Sequence, residues 1–475
     1  MFNLRDVFFA FIWVALLMLV GRVLKQKIGW LQMLYLPESV VAGVLALLLG
    51  EQVWGAVVKG WGGGASWFAN GVFPPAIREV WRQSPGIFIN IVFAALFLGE
   101  AIPAPADIWR KAAPQVVFGQ ALAWGQYVVG ILVTLLILIP FFDAHPISAT
   151  LIEIAFEGGH GTAGGMADTL KELGFTDGPD LALGLATVGM IAGIVVGTAL
   201  AEWGRKKHYI QTFAPKVGKT EEIPELFPMA DTPAVQRKRA SLLHNLLIDP
   251  LSVNFGLVGI AVVIGWLLQQ GLIQIESLTW GQTGLKVMTY VPLFPMALLG
   301  GMILQILLER MDLECLIIPP LMKSIAGVAL DVVVVTALAS ISLVVIGSNI
   351  STFIILSAAG IAWNVLFFLY YAPRIFPDYW FEKGIADLGQ SMGVTATGIL
   401  LLRMVDPTNR SGAFESFAYK QLFFEPIVGG GLFTAAAPVL IQTLGIWPSL
   451  WLTGGIWAFW LGMGFWLMSA RRARP

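Results

Sequence analysis

The stretch EGGHGTAGG, at residues 157–165, carries side chains that can hold a cation or move a proton. Glu157 offers a carboxylate, His160 an imidazole that changes charge near neutral pH, and Thr162 a hydroxyl oxygen. No second histidine or cysteine stands at metal-ligand spacing, so the pattern does not indicate a zinc site. The glycines among them would let a solute approach the backbone closely: Gly158, Gly159 and Gly161.

A second glycine-rich stretch, GIADLGQSMGVTATG at residues 384–398, ends in the same way. Its TATG repeats the TAGG of the first stretch, and Asp387 stands two residues ahead of a glycine, as Glu157 does. A threonine here could also bond only its own helix backbone. The polar side chains that could contact a solute are Gln390, Ser391, Thr395 and Thr397.

The rest of the chain is strongly apolar. Hydrophobic residues make up 57% of its 475 residues and charged residues only 12%, whereas soluble proteins carry about 25% charged residues. Net charge is −1, which gives no indication of nucleic-acid binding. The single cysteine, Cys315, excludes an internal disulfide and a cysteine-based metal cluster. The composition therefore predicts an all-α polytopic membrane protein.

Apolar patterning predicts eleven membrane crossings, and the two glycine-rich segments, at 148–175 and 384–406, are interpreted as re-entrant hairpins. With the N-terminus outside, 23 of the 29 Lys and Arg residues lie inside, Lys420 among them in a loop that follows Arg403. The positive-inside rule then places the C-terminus in the cytoplasm. The predicted crossings are 7–24, 34–50, 85–102, 114–140, 181–201, 250–271, 287–307, 325–345, 348–371, 417–441 and 448–469.

Residues 202–247, charged and proline-containing, read as a cytoplasmic linker between two related halves. PESVVAGVLALLLGE in the first half and PMALLGGMILQILLE in the second share the spacing of proline, glycine and glutamate. Asn90 follows a glycine by four residues, as Asp331 does in the other half. Because each half has five crossings, the sequence predicts inverted repeats at 1–201 and 248–445, with an extra transmembrane helix and basic tail at 446–475.

Irregular backbone inside a membrane survives only where it is packed in protein or lines a wet cavity. Two hairpins at matching points of inverted halves would meet near the midplane and form a site for a solute and an ion. Acids at that depth are costly, so ion coupling is the expected role of Glu157 and Asp387, and more weakly of Asn90 and Asp331. The sodium-ligand candidates are Glu157, Asp387, Thr162 and Thr395.

GGHGTAGG, preceded by LPESVVAG and followed by ATVGMIAGIVVG, resembles the glutamate:sodium symporter family, with similar element order over roughly residues 1–445. The resemblance implies a bacterial inner-membrane symporter that couples uptake of glutamate, or a related small organic anion, to sodium. It also implies two five-helix inverted repeats with hairpins, a homodimer and an elevator-like movement. The family usually has a histidine in the second hairpin, where this chain has Asp387, and a small polar residue where this chain has Glu157.

Two other functions fit the same residues. A cation/proton antiporter would use the two acids as competing sites for either ion, and an intramembrane enzyme would use Glu157, His160 and Asp387 as acid–base groups. An enzyme has no need for a repeated hairpin, which favours transport. No cofactor is expected, and sodium is the expected coupling ion.

Overall fold

A computed structural model describes residues 2–33, 36–61, 66–212, 236, 238, 249–283 and 286–472. Within these ranges the secondary structure is helical and no β-strand occurs. The first half contains α1 Leu4–Lys27, α2 Gly29–Met33, α3 Glu38–Leu48, α4 Ala56–Gly60, α5 Pro75–Ala95, α6 Pro105–Val133, α7 Ile139–Phe142, α8 Leu151–Phe156, α9 Gly159–Gly165, α10 Ala167–Glu172 and α11 Gly178–Lys206. The second half contains α12 Pro250–Leu278, α13 Leu293–Arg310, α14 Pro319–Ala339, α15 Leu343–Ser348, α16 Ile350–Ile375, α17 Trp380–Val405, α18 Ala413–Phe424, α19 Leu432–Leu444 and α20 Ile446–Arg472.

Ten helices of the described chain are long and apolar enough to cross a membrane, which confirms the predicted polytopic all-α class. Two predicted crossings differ. The one at 85–102 lies partly on α5, whose first turns carry Arg78, Glu79 and Arg82 and lower its hydropathy. The one at 417–441 is two helices, α18 and α19, because Pro426 and the glycines 429–431 interrupt it.

Helix α17 reverses direction in its middle. Gly393 and Val394 have non-helical dihedral angles, with φ −154° and φ +62°. A β-carbon placed on Gly389 would lie 2.8 Å from the Cα atom of Gly398. In a continuous helix nine residues would span about 13.5 Å, since each residue rises 1.5 Å. Residues 380–392 and 395–405 therefore form a hairpin of two helices, although the whole of α17 is long enough to cross a membrane.

The first glycine-rich segment is also broken. Helix α8 ends at Phe156, and α9 begins at Gly159, whose φ of +65° is in the left-handed region that glycine tolerates best. A second break at Met166 separates α9 from α10. Glu157, Gly158 and Gly159 thus lie in a bend between short helices, where the sequence predicted an irregular backbone.

The helices pack in two groups. One group contains α1, α3, α5, α12, α13 and α14, and the other contains α6, α11 and α16–α20. Helix α9 lies between the groups, because it packs on α11 on one side and on α5 and α14 on the other. The extra C-terminal helix α20 packs on α6, α16 and α19, all in the second group.

Candidate functional site

The bends of the two glycine-rich segments contact each other. A β-carbon on Gly159 would lie only 2.4 Å from Cγ1 of Val394, so the Val394 side chain packs directly against the backbone of Gly159. The Ser391 hydroxyl, on the second hairpin, donates a hydrogen bond to Oε1 of Glu157, on the first. Both side chains are buried, with Ser391 1% and Glu157 2% exposed. The predicted meeting of the two segments is therefore present at these residues.

Amide side chains from two long helices support this junction. The backbone carbonyl of Ser391 accepts hydrogen bonds from Gln126 Nε2 at 2.7 Å and from Asn364 Nδ2 at 3.0 Å. Gln126 on α6 and Asn364 on α16 are fully buried and also bond each other at 3.1 Å. Because two donors satisfy its carbonyl, the end of the first arm of the hairpin is fixed against both helices.

Three buried oxygen atoms around the junction have no hydrogen-bond partner within the described part of the chain. They belong to three different side chains: Glu157 Oε2, Thr162 Oγ1 and Gln126 Oε1. A buried acceptor without a partner costs about 1–3 kcal/mol, and a charged one costs more. Carboxylate, hydroxyl and amide oxygens are the ligands that hard cations prefer. Of these three residues, Glu157 and Thr162 were predicted as sodium ligands, whereas Gln126 was not predicted.

A second buried carboxylate, Glu153, lies one helical turn before Glu157. Its oxygens accept hydrogen bonds from Tyr127 Oη at 2.5 Å, from the Gly429 amide at 2.8 Å and from Thr434 Oγ1 at 2.8 Å. This carboxylate is fully buried and has three donors. Glu153 therefore anchors the loop between α18 and α19 to α8, and it differs from Glu157 in having both oxygens bonded.

The acid of the second hairpin, Asp387, has a basic partner. Its Oδ1 accepts a hydrogen bond from Lys420 Nζ at 2.8 Å, and its Oδ2 accepts one from Gln115 Nε2 at 2.6 Å. Asp387 is 0% and Lys420 1% exposed. The placement of Lys420 in a cytoplasmic loop is therefore wrong, because it lies on α18 in the protein interior. When Lys420 is left out of the count, most Lys and Arg residues still lie on the predicted cytoplasmic side.

Polar side chains of α17 and α18 extend this ion pair toward the turn of the hairpin. Gln390 Oε1 accepts from Lys420 Nζ at 2.5 Å, and Gln390 and Gln421 bond each other at 3.0 Å in both directions. Gln421 also donates to Thr395 Oγ1, whose hydroxyl donates to Glu425 at 3.1 Å. The predicted residues Asp387, Gln390 and Thr395 thus belong to one hydrogen-bonded network.

The other predicted site residues lie apart from this network. His160 is buried with Nε2 2.9 Å from Thr187 Oγ1, and Thr397 donates to the Gly393 carbonyl of its own hairpin.

Asn90 donates to the backbone carbonyls of Gly86 and Ile87 on its own helix. Asp331 lies on α14, near Ser39 of α3. Two glycines serve close packing, since a β-carbon on Gly158 would meet Thr162 and one on Gly161 would meet Ile89.

Sequence reasoning missed several residues of the site: Gln115, Gln126, Glu153, Asn364, Lys420 and Gln421. The signal that could have found Glu153 is its position in an apolar segment four residues before Glu157. Lys420 follows Phe417 and Tyr419 in a segment that otherwise reads as the start of a membrane crossing. A lysine inside a crossing costs free energy unless it has a partner. Within the described chain, no three His, Cys, Asp or Glu side chains converge on a metal site.

A family model described as sodium/glutamate symporter matches residues 115–401. That range is more than half of the chain and contains the bends of both broken segments. The chain belongs to the sodium/glutamate symporter family. A member of this family is a membrane transport protein, which agrees with the ten candidate spans. The LPESVVAG motif lies outside the matched residues, and comparisons with curated proteins and with solved structures found no match.

Proposed function

We propose that this protein is a sodium-coupled symporter of glutamate or a related small organic anion. The observation that carries the proposal is the junction of the two broken segments, where Glu157 is buried, has one carboxylate oxygen bonded to Ser391 and has the other without a partner. A buried carboxylate is strongly unfavourable unless a proton or a cation neutralises it. Sodium with Glu157, Thr162 and Gln126 as ligands would satisfy each unpartnered oxygen.

The charge of the site gives a physical reason for coupling. Four acidic side chains surround the junction, and one buried ammonium group, that of Lys420, lies among them; the acids are Glu153, Glu157, Asp387 and Glu425. An anionic solute would be repelled from this excess of negative charge. Sodium at Glu157 removes part of that repulsion, so the solute binds well only after the ion, and ion and solute move together.

The second arm of the hairpin offers a place for the solute. It begins at Thr395, next to the contact of Gly159 and Val394. The first amide groups of a helix have no partner within that helix and favour an anion. We expect the solute carboxylate there, with Gln390, Ser391 and Thr395 as polar contacts. His160, whose Nε2 lies 2.9 Å from Thr187 Oγ1 of α11, completes the candidate solute residues.

The two groups of helices fit an elevator-like movement. The group of α6, α11 and α16–α20 carries the second hairpin and would move, and the group of α1, α3, α5 and α12–α14 would stay fixed. Matched contacts support the duplication on which this movement depends. A β-carbon on Gly43 would meet Leu338 of α14, and one on Gly301, at the same spacing in the other half, would meet Ala94 of α5. A homodimer in a bacterial inner membrane, with the N-terminus outside, completes the proposal.

The enzyme alternative needs Glu157, His160 and Asp387 around one reacting atom. Each has its own protein partner instead: Ser391, Thr187 and Lys420, respectively. A cation/proton antiporter would exchange ions at Glu157 without any solute. Both alternatives predict no solute uptake.

Uptake by purified protein in liposomes tests the proposal. Radiolabelled glutamate, aspartate and small dicarboxylates are each supplied with an inward sodium gradient, with an equal potassium gradient, and with a proton gradient alone. We expect concentrative uptake of at least one of these anions only with sodium. Proton movement driven by sodium in the absence of solute would favour the antiporter, and no transport of any anion under any gradient would refute the symporter.

A further inference from the structure

Lys420 is a charged side chain buried in the protein interior, 1% exposed, and its surroundings are shaped around it. Its stem passes Gly119 of α6, where a β-carbon would lie 2.7 Å from Lys420 Cδ and 3.1 Å from Nζ. Its ammonium group lies 3.9 Å from the ring centre of Phe424 and 5.0 Å from that of Phe417. Ring faces attract a cation, more strongly when it is desolvated.

The remaining contacts of the ammonium group are oxygen atoms of the second hairpin. Lys420 Nζ donates to Asp387 Oδ1 at 2.8 Å and to Gln390 Oε1 at 2.5 Å. Gln115 satisfies the other oxygen of Asp387. A carboxylate and an amide oxygen on one side and aromatic faces on the other form a site for one positive charge, and the lysine side chain supplies that charge.

The buried acid at the bend of the first broken segment, Glu157, is in a different state. Glu157 and Asp387 each stand two residues before a glycine, at 159 and 389. Asp387 has both oxygens bonded and a cation beside it, whereas Glu157 has a neutral partner and one unpartnered oxygen. A buried carboxylate needs a cation or a proton to neutralise it, and of these two acids only Asp387 has a lysine hydrogen-bonded to it within the described chain.

We propose that Lys420 is a tethered cation that takes the place of a coupling ion in the second hairpin. Asp387 is then not a sodium ligand, and sodium enters the transport cycle through the Glu157 junction alone. Because the ammonium group is covalently attached to the chain, it neutralises Asp387 throughout the transport cycle. The second hairpin therefore binds no sodium ion and does not add to the number of sodium ions transported. This inference rests on the proposed symport.

The substitution Lys420→Met tests whether a free sodium ion can occupy the site that the ammonium group fills in the wild type. Methionine keeps the length of the aliphatic stem beside Gly119 and removes the ammonium group. Asp387 Oδ1 and Gln390 Oε1 then have no cation, and both are oxygen ligands suitable for sodium. We expect the Hill slope of uptake against sodium concentration to rise by about one, and the melting temperature of the purified variant to increase with sodium more steeply than that of the wild type.

Two further variants complete the test. Lys420→Met with Asp387→Asn removes both charges, and we expect the sodium slope of the wild type and its sodium-dependent thermal shift. Lys111→Met removes a lysine that is exposed on α6 and bonds Tyr419, and we expect no change in either readout. An ion pair with a purely structural role would lower the melting temperature of Lys420→Met but leave both sodium dependences unchanged.

Unchanged sodium slope and unchanged sodium-dependent thermal shift in Lys420→Met would overturn the inference. A sodium slope below that of the wild type in the double variant would also overturn it, because Asp387 would then contribute to sodium binding. If the Lys420→Met protein does not accumulate in cells, the sodium slope of the double variant decides between the two outcomes. If the wild type takes up no anion with sodium, the proposed symport fails, and the thermal shift with sodium then decides whether Lys420 replaces a cation.

Discussion

Gly159 and Val394 hold the two broken segments in contact: a β-carbon on Gly159 would lie 2.4 Å from Val394 Cγ1. Both residues have positive φ angles, +65° for Gly159 and +62° for Val394. This angle is rare for a β-branched residue, and such outliers cluster at functional sites. The contact places Glu157 beside Ser391, so the carboxylate of one segment and the hydroxyl of the other share one site.

We predict that Gly159→Ala lowers uptake at least tenfold, because the added methyl group displaces Val394 and separates the two bends. Gly412→Ala is a matched control, since Gly412 has a φ of +64° and nothing lies within 4 Å of a β-carbon there. The control has only the left-handed strain, about 1–2 kcal/mol. Uptake in liposomes at equal protein amounts measures the difference.

Val394→Ala removes the atom that a β-carbon at residue 159 would meet. Combined with Gly159→Ala, it should restore a large part of the lost uptake. Equal losses in Gly159→Ala and Gly412→Ala, with no recovery in the combined variant, would show that the contact has no role in transport.

We predict that Thr162→Val and Thr395→Val each weaken the apparent affinity for sodium or solute by roughly ten- to hundredfold. Each change removes a hydroxyl group and preserves the shape of the side chain, and a hydrogen bond to a charged group contributes about 1.5–3 kcal/mol. The control is Thr443→Val, because the Thr443 hydroxyl bonds only the Val439 carbonyl of its own helix among the described contacts. Normal affinities in both site variants would assign these threonines to structural roles.

We predict that Tyr127→Phe lowers the free energy of unfolding by about 1.5–3 kcal/mol, because the buried carboxylate of Glu153 loses one of three donors. Tyr371→Phe is the control, since the Tyr371 hydroxyl is buried and has no hydrogen-bond partner in the described chain. Its removal should leave stability unchanged or slightly raised. Melting temperatures of the purified variants in one detergent would measure both. A similar stability of the two variants would contradict the anchoring role of Glu153.

We predict that the linker and the C-terminal tail face the cytoplasm. Single cysteines replacing Lys219 and Ala473, both outside the described residues, should resist an impermeant thiol reagent in whole cells and react after the membrane is opened. The background carries Cys315→Ser, which removes a buried thiol. A cysteine replacing Arg5 serves as the positive control and should react from outside. Labelling of residue 219 or 473 in intact cells would contradict the predicted orientation.

Much of the fold follows from the sequence because apolar length is a strong signal in a membrane protein. The glycine-rich stretches predicted two broken segments, and the structure has bends at Gly159 and at Gly393–Val394. The interruption after α18 was missed although Pro426 and three successive glycines mark it, because the flanking residues are as apolar as those of a crossing.

The candidate site was harder to predict, because its members come from distant positions. Gln115 lies 272 residues from Asp387, and Gln126 lies 238 residues from Asn364. Amide side chains in apolar helices carry no local pattern that shows which partner they bond. Lys420 was assigned to a loop because a lysine is expected at the membrane surface, and only the placement of Asp387 beside it shows why it is buried.

The most direct test of coupling at Glu157 measures binding of the transported anion to purified protein across a range of sodium concentrations. In the wild type we expect affinity for the anion to rise at least tenfold with sodium. In Glu157→Gln, where the carboxylate charge is gone, we expect anion affinity to be independent of sodium. Glu202→Gln, which changes an exposed acid paired with Arg205, should behave as the wild type. A Glu157→Gln variant that keeps the wild-type rise in affinity with sodium would contradict the account.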